Sequence, residues 1–159
     1  MSRYAVLLGQ INRDLADLEQ IIDDTGNLME KVLETGDKHY LGTVALNLHG
    51  FYSGAERIFG EVALAVDGSL PEGSDSHRRL LRQMAAKVPD IRPALLSDAT
   101  LTALNEHCAF GHLLQNFYTF DLILIRGLDL AEELPYCQKL LRTDLQEFCQ
   151  FLSILSKIA

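Results

Sequence analysis

The stretch 39-HYLGTVALNLHGFYSGAERIFGEVALAV-66 decides the fold class. Its large apolar residues recur at steps of three and four, the spacing that places them on one face of an α-helix. They are Leu41, Val44, Ala45, Leu48, Phe51, Ala55, Ile58, Phe59, Val62 and Val66. A helix over 39–66 would be about 40 Å long. Because its apolar side needs partners, this helix predicts a core built by helix-on-helix packing.

The same periodicity continues on both sides of this stretch. We predict helices over 2–35, 39–66, 75–87, 97–124 and 128–158, with a bend or restart of the last helix at Pro135. Asp75 or Ser74 is the expected N-cap of the short helix, and Ser97 that of the next one. No alternating strand pattern appears. The chain is therefore predicted to be one all-α domain, residues 1–159, folded as an antiparallel four- to five-helix bundle.

Composition and charge restrict the classes of function. Hydrophobic residues make up 48% of the chain, but no apolar run approaches the roughly 18 residues of a membrane span. The apolar run near the N-terminus is too short for a signal peptide, so we expect a cytoplasmic protein with no membrane partner. The net charge of −8 disfavours nucleic acid and makes RNA a weak partner at best. A local basic site or a basic partner protein remains compatible with it.

Neither the cysteines nor the histidines form a metal motif. Cys108, Cys137 and Cys149 lack CxxC spacing and are interpreted as small buried hydrophobes. His107 and His112 are five positions apart, which directs them about 140° apart on a helix. One metal ion needs a spacing of three or four. Glycine-rich phosphate loops are also missing from the sequence, so we predict neither a metal nor a cofactor.

Two polar stripes stand out on the predicted helices. The first consists of His49, Tyr52, Ser53 and Glu56. The second consists of Asn105, His112, Gln115, Asn116 and Thr119. Each follows steps of three and four and therefore shares one helix face. If the two faces meet, they line a polar groove. Such a groove could be a packing network or two solvated faces, a surface for a ligand or partner, or a catalytic site.

Four segments resemble HepT-like proteins of the HEPN superfamily. They are 48-LHGFYSGAERIF-59, 67-DGSLPEG-73, 110-FGHLLQNFYTFDL-122 and 145-LQEF-148. The resemblance implies a compact bundle of four or five helices that forms a homodimer. It also implies a ribonuclease toxin paired with a minimal nucleotidyltransferase as antitoxin.

The resemblance also assigns catalytic residues, and here the match is incomplete. The third long helix of these proteins reads Phe-Arg-His-x-x-Arg-Asn-x-Tyr, which His112, Asn116 and Tyr118 match. Gly111 and Gln115 stand where the two arginines would be. An arginine neutralises the charge that develops on the phosphate, and a histidine transfers protons near neutral pH. The fold is therefore expected to carry over, whereas the catalytic activity is not.

Three functions follow from these observations. The first is a HepT-like protein with weakened or lost ribonuclease activity that acts through a partner. The second is an active, metal-independent endoribonuclease toxin in which Arg57 or Arg126 supplies the missing charge. The third is a nucleotide-binding partner of a nucleotidyltransferase.

Overall fold

The computed structural model describes residues 3–116 and 120–158, the side chains at 116 and 120–124 excepted. Its five α-helices are α1 (Arg3–Thr35), α2 (His39–Val62), α3 (Ser76–Ala85), α4 (Asp98–Asn116) and α5 (Phe120–Ile158). A five-residue π-helical turn, Ala63–Asp67, continues α2. The described ranges contain no β-strand, only an isolated bridge between Val88 and Arg92. The all-α bundle expected from the sequence is confirmed.

The second helix is the centre of the bundle. It packs against each of the other four α-helices. Nine of the ten apolar residues that defined its predicted stripe are buried, and the tenth, Ala45, is partly buried against the core. Phe51, Ile58 and Phe59 are fully inaccessible to solvent. The hydrophobic stripe read from the sequence is therefore the contact surface on which the other helices are assembled.

One close approach within the bundle depends on a glycine. A Cβ atom added at Gly54 in α2 would lie 2.8 Å from Cδ2 of Leu18 in α1. Leu18 is only 2% exposed, so its side chain has little room to move aside. By contrast, a Cβ atom at Gly42 in the same helix would meet nothing within 4 Å. The two glycines are thus a matched pair, one at a contact and one facing open space.

Gly54→Ala is expected to lower the free energy of unfolding by about 1 kcal/mol. Overpacking costs about 1–3 kcal/mol, and the better helix propensity of alanine offsets up to about 1 kcal/mol. Gly42→Ala should instead raise it by about 0.5–1 kcal/mol, because only propensity changes. Urea denaturation of both variants measures this. Equal stabilisation by the two substitutions would contradict the close contact at Leu18.

The boundary between the last two helices differs from the prediction. The helix expected over 97–124 ends at Asn116, and the one expected from Leu128 begins at Phe120. The added Cβ atom of Gly127 would lie 3.4 Å from Phe110, and Arg126 lies 4.0 Å from Glu106. Ser97, just before α4, donates to Asp144 much further along α5, so later positions of α4 contact earlier positions of α5 and the two helices run antiparallel. This part of the sequence contains no glycine or proline to mark where one helix gives way to the next, so periodicity alone could not place the boundary.

Pro135 does not restart the last helix, as the sequence had suggested it could. It lies inside a continuous α5. A proline removes one backbone hydrogen bond, but Leu134 and Cys137 beside it are buried in the bundle. Their packing therefore holds the helix together across the proline.

Three smaller expectations concern helix ends. Ser97 accepts a hydrogen bond from the backbone N–H of Thr100, so its predicted role as an N-cap is confirmed. Asp75 precedes α3 but makes no capping hydrogen bond through its side chain, so that part of the prediction is wrong. The last turn predicted for α2 is π-helical and ends at Gly68, whose φ of 72° favours glycine.

A buried ion pair fastens the connection between α3 and α4 to the end of the π turn. Nε and Nη2 of Arg92 donate to the two carboxylate oxygens of Asp67, at 2.6 and 2.8 Å. The same guanidinium also donates to three backbone carbonyls, those of Gln83, Ala86 and Pro93. The Arg92 side chain is 0% exposed and that of Asp67 5%. Every nitrogen of the guanidinium group thus donates a hydrogen bond inside the protein.

The cysteines behave largely as expected. Cys108 and Cys137 are buried and Cys149 is half-buried, and all three are free thiols. Burial raises the pKa of Cys137 to about 12, so its thiol stays protonated and unreactive at neutral pH. Within the described residues, no helix is long and apolar enough to cross a membrane.

Candidate functional site

The first polar stripe faces His112 and Gln115 of the second across a small groove between α2 and α4. α2 contributes His49, Tyr52, Ser53 and Glu56, and α4 contributes Cys108, Gly111, His112 and Gln115. His77 of α3 completes the lining. The groove encloses about 60 Å³. That volume holds a few water molecules and not a nucleotide.

His77 closes one end of the groove. Its Nδ1–H donates to both carboxylate oxygens of Glu56, at 2.7 and 2.8 Å. Its ring lies edge-to-face with that of His112, with centroids 6.2 Å apart. His77 could not be predicted from the sequence, because it lies 21 residues from Glu56 and on another helix. No spacing rule relates the two positions.

On the other side of the groove, His49 faces the place of the missing arginine. Its Nε2 lies 3.5 Å from Oγ of Ser53, one turn along α2. A Cβ atom added at Gly111 would lie 4.0 Å from its Nδ1, an ordinary contact distance. The side chain of Gln115 is exposed at the mouth. A side chain can therefore start from position 111 without a clash at its Cβ atom.

Tyr52 forms part of the groove floor as a neutral hydroxyl. It is 7% exposed. Burial raises the pKa of Tyr52 above its ordinary value, and the nearby Cys108 and Glu56 raise it further. Its hydroxyl makes no well-aligned hydrogen bond to a described residue. The phenol can thus donate a hydrogen bond but does not supply a negative charge.

Several residues named from the sequence are not part of the described groove. Tyr118, Thr119 and the side chain of Asn116 lie outside the described residues. Asn105 is half-buried and does not line the groove. The structure thus brings together His49, Tyr52, Ser53, Glu56, His112 and Gln115 of the predicted set.

His107 points into the core and not into the groove. It is 3% exposed, and its ring centroid lies 5.2 Å from that of Phe51. Burial lowers the pKa of His107 to about 4. Its Nδ1 has no hydrogen-bond partner among the described residues. Those residues also contain no cluster of three metal-ligating side chains.

Acidification should therefore destabilise the protein through His107. The folded state keeps this imidazole neutral down to about pH 4, while the unfolded chain protonates it near 6.5. Protons consequently favour the unfolded state between these values, and about 2 kcal/mol of stability is lost from pH 7 to pH 5. Urea denaturation at both pH values measures the loss. His107→Phe should show a smaller loss, and an unchanged loss would show that other groups carry it.

The groove has no cationic lining apart from its histidines. Neither lysine nor arginine is among the described residues that border it. Arg57 donates to Asp14 at 3.2 Å, and Arg126 lies near Glu106 beside a separate cavity of about 370 Å³. The arginines suggested as substitutes are thus engaged outside this groove.

Comparison with known proteins places the chain in a family. Residues 43–152 match a protein family described as HepT-like protein. No curated protein and no solved structure gives a significant match. The matched range covers more than half of the chain and includes every residue of the groove. The chain therefore belongs to the HepT-like proteins of the HEPN superfamily.

Proposed function

We propose that this HepT-like protein has a weakened or lost ribonuclease activity and acts by binding a partner protein. The observation that carries the proposal is the composition of the groove. Gly111 and Gln115 occupy the positions of the family's arginines, and no guanidinium lines the groove among the described residues.

Two further properties of the groove support the loss of activity. Phosphodiester cleavage builds negative charge on the phosphate oxygens, which a catalyst must stabilise. Glu56 instead places a carboxylate beside His112, and His77 is held by that carboxylate. The groove holds about 60 Å³, which is too little to enclose a nucleotide. A substrate phosphate would therefore meet a narrow site without a fixed positive charge.

The partner in this proposal is a nucleotidyltransferase-type antitoxin, the kind of protein with which toxins of this family are paired. The proposal also includes a homodimer in the cytoplasm. Both follow from family membership and not from a contact in this structure. Sedimentation of the chain, alone and with the purified antitoxin, tests the homodimer and the complex directly.

The second candidate is an active, metal-independent endoribonuclease. The observation that favours it is the pair His77 and His112, whose rings lie 6.2 Å apart. Two neighbouring imidazoles can serve as general acid and general base. Glu56 would orient one of them through its hydrogen bond to Nδ1.

RNA cleavage by the purified chain, with and without chelator, separates the two candidates. Under the main proposal, the wild type cleaves RNA no faster than His112→Ala. Rapid, chelator-resistant cleavage that His112→Ala and His77→Ala abolish would reject it and support the endoribonuclease. A contaminating nuclease in the preparations is recognised because His112→Ala and His77→Ala would then cleave RNA at the same rate as the wild type.

A further inference from the structure

The most basic segment of this acidic protein lies on α3 and just after it. Arg78, Arg79, Arg82 and Lys87 fall within ten residues of a chain whose net charge is −8. All four side chains are exposed. None of them forms an ion pair with a described acidic residue, although the chain contains 22 aspartates and glutamates. We call these four residues the α3 basic face.

The three arginines point in one direction, away from the core. At about 100° per residue they fall within one arc of about 100° on the helix. Leu80, Leu81 and Met84 are buried on the opposite side. Among the described residues, the one side-chain hydrogen bond of these arginines runs from Nη1 of Arg79 to the backbone carbonyl of Glu72, at 2.8 Å. The guanidinium groups are therefore presented to solvent with most of their donors available.

A pocket of mixed polarity adjoins this face. It holds about 380 Å³; Leu70, Pro71 and Leu80 give it apolar walls, and Ser53, Glu56, Arg57 and Ser76 border it as well. Ser76 lies about 60° from Arg79 around the helix, so the pocket begins where the arginines end. Leu70 at its edge is 38% exposed. Charge and apolar surface are thus combined along about 15 Å of helix.

We infer that the α3 basic face is the docking surface for an acidic, amphipathic segment of a partner protein. Its carboxylates would pair with Arg78 and Arg82, which lie one helical turn apart, and an apolar side chain would enter the adjoining pocket. Guanidinium groups bind carboxylates in a bidentate manner and are enriched at protein interfaces. This inference rests on the proposed function, since it names the surface and chemistry of partner binding.

A nucleic acid fits the same surface less well. Nucleic-acid-binding domains are usually basic overall, with a pI above about 9. The pI of this chain is about 5.0. A long polyanion that reached the four cations would also approach the acidic remainder of the surface and be repelled. A short acidic segment avoids that repulsion because it touches only the α3 basic face and its pocket.

The test uses the full chain and a fluorescein-labelled 14-residue peptide with glutamates and leucines at helical spacing. Fluorescence anisotropy compares it with the same peptide carrying glutamine for glutamate and with a labelled oligouridylate. The variant Arg78→Glu/Arg82→Glu is compared with Lys31→Glu/Lys139→Glu, whose lysines are exposed on α1 and α5. Both variants change the net charge by the same amount.

We expect the glutamate peptide to bind most tightly and the α3 variant to bind it at least tenfold more weakly. The lysine variant should remain within about twofold of the wild type. Absence of binding, or equal weakening by both variants, would overturn the inference, as would tighter binding of the oligouridylate. Because RNA cleavage is measured separately, an active wild type would reject the proposed loss of nuclease activity without altering the peptide result.

Discussion

The double variant Gly111→Arg/Gln115→Arg should cleave RNA at least a hundredfold faster than the wild type. A charge partner of the transition state commonly contributes about 3 kcal/mol, which corresponds to roughly a hundredfold in rate. The backbone at Gly111 accepts a side chain, since an added Cβ atom meets nothing closer than 4.0 Å. Replacing a glycine inside a helix also favours folding by up to about 1 kcal/mol. Cleavage of a labelled RNA at neutral pH measures the gain.

Two controls show whether the gain comes from charge at this site. Gly111→Met/Gln115→Met adds similar bulk without charge and should remain inactive. Adding His112→Ala to the arginine variant should remove the gained activity, because His112 is the proposed proton-transfer group. An arginine variant that binds RNA but never cleaves it would show that the scaffold lacks more than these two charges.

Arg92→Met is expected to lower the free energy of unfolding by about 3–5 kcal/mol. The substitution leaves the Asp67 carboxylate, 5% exposed, without its charge partner. It also removes the donors to three backbone carbonyls, those of Gln83 in α3 and of Ala86 and Pro93 in the connection to α4. Buried groups that lose their partners bear the full penalty of desolvation. Urea denaturation monitored by circular dichroism measures the change.

A solvent-exposed pair on the same protein provides the control. Arg142 donates to Glu19 at 2.7 Å, and the two side chains are 45% and 38% exposed. Arg142→Met should therefore change stability by less than about 1 kcal/mol. Asp67→Leu added to Arg92→Met should recover part of the loss, because an apolar pair avoids the isolated charge. Similar losses of unfolding free energy in Arg92→Met and Arg142→Met would show that burial does not strengthen the pair between Arg92 and Asp67.

Helix ends could be predicted where a local residue, such as a glycine or a capping serine, marks them. Gly36, with φ 66°, directly follows the end of α1, and Ser97 caps α4 as expected. Neither glycine nor proline occurs between Gly111 and Gly127. No local signal therefore marks where α4 gives way to α5, and periodicity extended the earlier helix into residues that belong to α5.

The candidate groove could be predicted in part for the same reason. Helical spacing places His49, Ser53 and Glu56 on one face, but only tertiary packing brings that face opposite α4. The hydrogen bond between His77 and Glu56 joins residues 21 positions apart, and the ion pair between Arg92 and Asp67 joins residues 25 positions apart. Contacts of that kind leave no periodic signal in a single sequence.

The π turn at the end of α2 has a consequence for chain length. Such a turn accommodates one residue more than the α-helical turn it replaces, and here the N–H of Gly68 reaches back to Ala63. A chain shorter by one residue within Ala63–Asp67 could close the turn as regular α-helix and still direct Asp67 towards Arg92. The same deletion earlier in α2 would rotate every following core side chain by about 100°. The end of α2 is therefore where this helix best tolerates an insertion or deletion.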